Sequence, residues 1–181
     1  MLGAHLVFLD ESGFLLIPNV KRTWSFRGQT PLLRYVYKHD RISAINALTV
    51  SPQRKRMGLY VHFRTHNFTG LDVIAFLKHL LKHLQGPVIL LWDRGTIHRR
   101  REVRDYLERH SRIHVEWFPA YAPELNPAEH VWNQNDSALA NGAPRNINQL
   151  RGSLHNSMRR VRSRQDLLWS CVHASDLPWR R

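Results

Sequence analysis

Five short apolar runs recur along the chain, each closed off by polar or turn-forming residues. His5 to Glu11 (HLVFLDE), Ile42 to Val50 (ISAINALTV), Gly58 to Arg64 (GLYVHFR), Val88 to Asp93 (VILLWD) and Ile113 to Phe118 (IHVEWF) predict strands. VILLWD is continuously apolar up to its terminal acid, as suits a central strand buried on both faces. Helical spacing takes over between and after these runs. Leu71, Ile74, Leu77, Leu81 and Leu84 recur at intervals of three and four, predicting a helix from Thr69 to Gln85 that Gly86-Pro87 stops. A second helix is expected from about Arg99 to Arg109. A third has Asn126 as N-cap and Pro127 at its first position and runs to about Ala140. Two more are expected near Ile147 to Arg162 and Gln165 to His173. Phe14 to Arg34, broken by Pro18, Gly28 and Pro31, reads as a loop-rich excursion with WSFRGQTP as its most distinctive part.

Three strands with short links look like an antiparallel meander. Helix, strand, helix, strand and helices then follow, which gives an α/β fold with a five-stranded mixed sheet flanked by helices. That order matches the ribonuclease H-like fold, in which the first and fourth strands lie side by side. Adjacent strands sit about 4.8 Å apart, so acids at the ends of these two strands can share a ligand. Asp10 follows LVFL and Asp93 follows VILLW.

Composition narrows the class. A chain of 181 residues with a 43% hydrophobic share suits one domain, 1–181, with a real core. Lys and Arg number 27 against 14 Asp and Glu, a net +13 that favours a polyanionic partner, nucleic acid before membrane. A basic ribosome-like binder would satisfy the same numbers. Cys171 is the only cysteine, which rules out an intramolecular disulfide and paired-cysteine zinc sites and suits a reducing cytoplasm. No apolar run approaches a membrane span, and the amino-terminal run reaches Asp10 too soon for a signal peptide.

Asp10, Asp93 and Glu129 are the candidate catalytic and metal-binding acids, because carboxylate oxygens at the ends of buried elements suit hard divalent cations. Glu129 has a rival reading, since Asn126-x-x-Glu129 is a capping-box pattern. Glu11 is expected on the opposite face of its strand from Asp10, and Glu124 in the loop before the helix. His98 either contacts the scissile phosphate, polarises a water, or makes an ordinary helix-entry hydrogen bond. His79 and His83 have metal-ligand spacing, but Lys78 and Lys82 beside them oppose a cation. Arg94, Arg99, Arg100, Arg101, Arg104, Arg159 and Arg160, with Arg162 and Arg164, are candidate phosphate contacts. Trp24 and Trp132 are expected to be packing residues rather than base-stacking platforms.

The segments LVFLDESGF, TWSFRGQTP, LLWDRGTIHR and FPAYAPELNPAEHVW, in that order, resemble the catalytic domain of the mariner-type DDE transposases, closest to the bacterial insertion-sequence branch. The resemblance implies that Asp10, Asp93 and Glu129 hold two Mg²⁺ or Mn²⁺ ions, with Asp10 bridging them. It places His98 at the family's His after the second acid and Asn126-Pro127 in the loop before the third, where both join the DNA-facing set. It implies cleavage and strand transfer of transposon-end DNA in a bacterial, nucleoid-associated setting, by a homodimer. Relatives carry an amino-terminal helix-turn-helix region. With a first strand starting at about residue 5, that region is expected to be absent here or supplied by a separate chain. Arg94 stands where relatives usually have a small or amide residue, and NQNDSALAN after Trp132 replaces their basic residues. Two other functions share this pattern: a non-catalytic, non-specific nucleic-acid-binding remnant, and a ribonuclease H-like nuclease.

Overall fold

The computed structural model describes residues 3–17, 19–35 and 40–179, so Pro18 lies outside the described residues. The meander is β1 (His5–Leu15), β2 (Arg41–Val50) and β3 (Met57–Arg64). Helix α1 (Gly70–His83), strand β4 (Val88–Trp92), helix α2 (Arg101–Glu108) and strand β5 (Ile113–Trp117) follow. A single 3₁₀ turn at Pro123–Leu125 then leads into α3 (Pro127–Leu139), α4 (Ile147–Arg162) and α5 (Gln165–Ala174). The sheet order is β3-β2-β1-β4-β5, with β1 antiparallel to β2 and parallel to β4. This is the mixed sheet of the ribonuclease H-like fold expected from the element order.

Strand alternation divides the core in two. On one face Phe8 and Phe14 of β1 pack with Leu154 and Met158 of α4 and with Val131 and Trp132 of α3. On the other face Val7 and Leu9 pack with Phe76, Leu77 and Leu80 of α1, Trp92 of β4 and Val103 of α2. Helices α3, α4 and α5 therefore cover one face and α1 and α2 the other. Asp10 shares its parity with Phe8 and so belongs to the α3 side, while Glu11 follows Leu9 to the α1 side.

Register brings the two strand-end acids together. Phe8 lies opposite Leu91 in the parallel β1–β4 pair, and two residues further along come Asp10 and Asp93. Strand β1 does not end at Glu11 as expected. It runs to Leu15 because β2 is long enough to pair with it, Ser12 facing Ala44 and Phe14 facing Ile42, with Phe14 buried in the core.

Helix α1 is caught by a capping box, the Thr69 hydroxyl receiving the Asp72 N–H and the Asp72 carboxylate the Thr69 N–H. Its buried face differs from the expected leucine stripe. Val73, Phe76, Leu77 and Leu80 face the sheet, Ile74 and Leu81 are only half-buried, and Leu71 is 70% exposed. Both stripes have helical spacing, and the ion pair of Asp72 with Arg64 on β3, at 3.2 Å, favours the rotation observed. Phe76→Ala should therefore cost about 3–5 kcal/mol, whereas Leu71→Ser should stay within about 0.5 kcal/mol of wild type. Urea unfolding of both variants checks this; equal losses would contradict the assigned face.

Candidate active site

Asp10 is only 8% exposed. Its Oδ2 accepts a hydrogen bond from the indole Nε1–H of Trp132 at 2.7 Å, and Trp132 is set edge-on against Phe14 with ring centroids 5.7 Å apart. No other hydrogen bond reaches this carboxylate among the described residues. Burial, then the charges of Glu129 and Glu11, push its pKa up to about 8; the indole bond opposes them, and Asp93 adds a smaller push in the same direction. Glu129 is half-buried and also raised, by burial first and by Asp93, against the pull of His130. These mutual effects put Asp10, Asp93 and Glu129 in one neighbourhood.

Asp93 begins the turn after β4, and a different set of donors holds it. Its Oδ1 accepts the Gly95 N–H at 2.9 Å and lies 2.9 Å from His98 Nδ1. That bond to His98 leads the effects that depress its pKa, ahead of the opposing burial and the Gly95 bond. A β-carbon at position 95 would crowd this arrangement, standing 3.0 Å from Asp93 Oδ1 and 3.4 Å from the His98 ring. The imidazole of His98 is buried, stacked on Trp92 with centroids 4.1 Å apart, and its Nε2 lies 2.8 and 3.0 Å from the two Glu11 oxygens. Burial disfavours its charged form, but the bonds to Asp93 and Glu11 and the Glu11 charge outweigh burial and lift its pKa to about 10.

Glu129 sits in the first turn of α3, and two buried amides fasten that end of the helix. Asn126 caps it by accepting the Ala128 N–H and donates to Leu9 O at 3.2 Å; Asn46 of β2 donates to Ala128 O, also at 3.2 Å. The capping-box reading of Glu129 fails for a simple reason. The Asn126 N–H that Glu129 would bind is already given to Pro123 O at 2.9 Å in the 3₁₀ turn. The Glu129 carboxylate is left to the acid cluster.

Several expected nucleic-acid contacts are placed otherwise. His98 is 2% exposed with both ring nitrogens occupied, so it braces the site rather than touching phosphate. Asn126 is 4% exposed and spends its amide on the cap and on Leu9, so it too is structural. Arg94 and Arg99 are exposed and make no ion pair among the described residues, so Arg94 does not neutralise Asp93. Arg100, Arg101 and Arg104 lie near Glu102, Asp105 and Glu108 at 3.7–3.9 Å, weak exposed pairs that a phosphate can displace. Arg159 and Arg160 are exposed on α4, on the other side of the sheet from α2, so the arginines form two surfaces rather than one.

Trp24 is 99% exposed, against the expectation that it packs. Trp132 does pack, but its hydrogen bond to Asp10 was not foreseen; neither were the Glu11–His98 bond and the Asn46 strap. Only the ELNPAEHVW spacing hinted at Trp132, one helical turn after Glu129. Glu124 is an exposed residue of the 3₁₀ turn, as expected. His79 and His83 gain His62 as a neighbour, its ring 5.0 Å from that of His79, and Lys78 turns away over Tyr106.

The family model of the DDE superfamily endonucleases matches residues 5–151. This chain belongs to that family. Among solved structures similar to this DDE endonuclease, the Mos1 transposase paired-end complex with left transposon end shares 22% identity over 96% of the chain, with a TM-score of 0.69. The Mos1 mariner paired-end complex with Mn shares 21% over 93%, also at 0.69. The chain spans about half the length of each, 52% and 51%. The catalytic domain of Mos1 mariner transposase is similar at 18% identity over 93% of this chain and 75% of that one, TM-score 0.63. At such identities the likeness carries the fold. No curated relative matches the sequence.

The donor chemistry of this DDE endonuclease fits a divalent cation. Asp10 Oδ1 and Asp93 Oδ2 are the oxygens that the Trp132 and His98 bonds leave over, and Glu129 adds a third carboxylate. Among the described residues no three His, Cys, Asp or Glu side chains stand, as placed, where they could together hold a metal ion. Burial first and the neighbouring carboxylates second disfavour charge on Asp10, and a cation would offset both.

The sign of that strain is testable. Asp10 has a folded pKa of about 8 against 3.8 unfolded, so the folded chain binds the extra proton and loses stability as pH rises between those values. Without metal, the melting-temperature advantage of Asp10→Asn over wild type should grow from pH 5 to pH 8, by roughly 10 °C. A difference that stays flat across that range would contradict the burial and charge assigned to Asp10.

Proposed function

We propose that this chain is the catalytic domain of a DNA transposase, cutting phosphodiester bonds at transposon ends and joining the freed 3′-hydroxyl to target DNA with two Mg²⁺ or Mn²⁺ ions. The observation that carries the reading is the buried Asp10 carboxylate, raised to about 8 among two other acids in a DDE endonuclease. Divalent ions there would supply activation of the attacking oxygen and stabilisation of the leaving oxygen in an in-line displacement.

The chain's own residues bind and orient. Three carboxylates would hold the ions: Asp10, with one oxygen tied to Trp132; Asp93, with one oxygen held by His98 and Gly95; and Glu129, from the fastened first turn of α3. The exposed Arg94 next to Asp93 would meet the scissile phosphate, and the net charge of +13 would draw in the DNA backbone.

Self-association suits the same reading. The β1–β2 excursion leaves Trp24, Phe26 and Leu32 at least 82% exposed, an apolar set of the kind that marks protein interfaces. A second copy in the transposition complex is the occupant we assign to it. The working compartment is the bacterial cytoplasm, at the nucleoid.

Nicking of supercoiled plasmid tests the reading. Wild type with Mn²⁺ should nick, and EDTA or Asp93→Asn should abolish it. Binding to random duplex should weaken with salt at a log–log slope near −5, the value for about six phosphate contacts. Binding without any metal-dependent nicking would point to a remnant, and preference for an RNA–DNA hybrid would point to a ribonuclease H-like enzyme.

A further inference from the structure

Glu11 has no place among the metal-facing acids, since its side chain leaves β1 on the α1 side of the sheet while Asp10 leaves on the α3 side. It is nonetheless joined to them. The His98 ring spans from Glu11 to Asp93, with Nε2 at 2.8 and 3.0 Å from the Glu11 oxygens and Nδ1 at 2.9 Å from Asp93 Oδ1 and 3.0 Å from Asp93 O. Every partner of the ring is an oxygen acceptor, so each ring nitrogen facing them must donate. Trp92 closes one face of the ring by stacking at 4.1 Å and 10°. A buried imidazole gripped at one end and stacked on its face cannot swing, and this fixes the Asp93 carboxyl that it holds.

We propose that Glu11 is a positioning residue for the metal site: acting through His98, it locks the Asp93 carboxylate so that Oδ1 stays engaged and Oδ2 faces the ions. The claim rests on the metal-dependent reading above for its functional consequence, and on geometry alone for its structural one. The logic is that of an outer-shell partner orienting a ligand, whose loss typically costs about 10–100-fold in metal affinity. The Glu11 oxygens give His98 Nε2 an acceptor on the side of the ring opposite Asp93, so the ring is held at both ends.

The experiment pairs a metal readout with one that needs no metal. Mn²⁺ affinity is measured by electron paramagnetic resonance of the free ion for wild type, Glu11→Ala and Glu11→Gln, together with ¹⁵N chemical shifts of the His98 ring and thermal melting. Glu11→Ala should weaken Mn²⁺ binding about 10–100-fold and shift the His98 Nε2 resonance as its hydrogen bond to the Glu11 carboxylate is lost. Glu11→Gln, which keeps an acceptor for Nε2–H, should recover most of the Mn²⁺ affinity. Equal loss in both variants would make Glu11 a direct ligand and overturn the proposal. A lowered melting temperature with unchanged Mn²⁺ affinity would make it a merely structural residue and overturn it as well. If wild type binds no Mn²⁺, the metal reading itself fails. The His98 shifts then decide the remaining claim, and shifts unchanged in Glu11→Ala would sink it.

Discussion

The arrangement hinges on one carboxylate placed where water hardly reaches. Lifting Asp10 from 3.8 to about 8 corresponds to a penalty on the order of 5 kcal/mol against its ionised form. That net penalty already includes the single indole donor of Trp132, which favours the charged form against burial and the neighbouring carboxylates. The balance is left unmet by protein atoms. A site so prepared resists holding its charge alone and gains from a dication, which is why the burial of Asp10 governs how the rest of the site must be built.

The rest of the chain supplies stiffness around that carboxylate. Strand β1 pairs with β4 up to Phe8↔Leu91 and with β2 through Asp10↔Asn46, so Asp10 is held by β2 just past the end of the β4 ladder. Asn126 and Asn46 tie the first turn of α3 to β1 and β2, which sets Glu129 against the sheet. Asp93, at a turn with more exposure, needs its own brace, and the stacked His98 provides it from the far face. Each acid thus has a different means of support, matched to whether it starts from a strand, a turn or a helix.

Much of this was legible in the sequence because strand burial and strand ends are local signals. VILLWD and LVFLD each announce an apolar strand that ends in an acid, and Asn126-Pro127 announces a helix start. The element order then fixed which strands are neighbours. Contacts made across the sheet were not legible. Nothing local to Glu11 says that a histidine 87 positions later will bond it, and nothing in HVW says that Trp132 donates to Asp10. The face of α1 was misread because Leu71–Ile74–Leu81 and Val73–Phe76–Leu80 are both helical stripes, and only contact with β3 chooses between them. Trp24 was misread for the converse reason: an apolar side chain in a loop has no local mark that tells a core neighbour from a partner surface.

The central claim is that Asp10, Asp93 and Glu129 form a divalent-cation site. Anomalous diffraction at the manganese edge, from crystals soaked in Mn²⁺, tests it most directly. The account predicts anomalous peaks between these three side chains, in contact with Asp10 Oδ1 and Asp93 Oδ2, with His98 still joining Glu11 to Asp93. Manganese bound elsewhere, with no peak between Asp10 and Asp93 at saturating Mn²⁺, would contradict it.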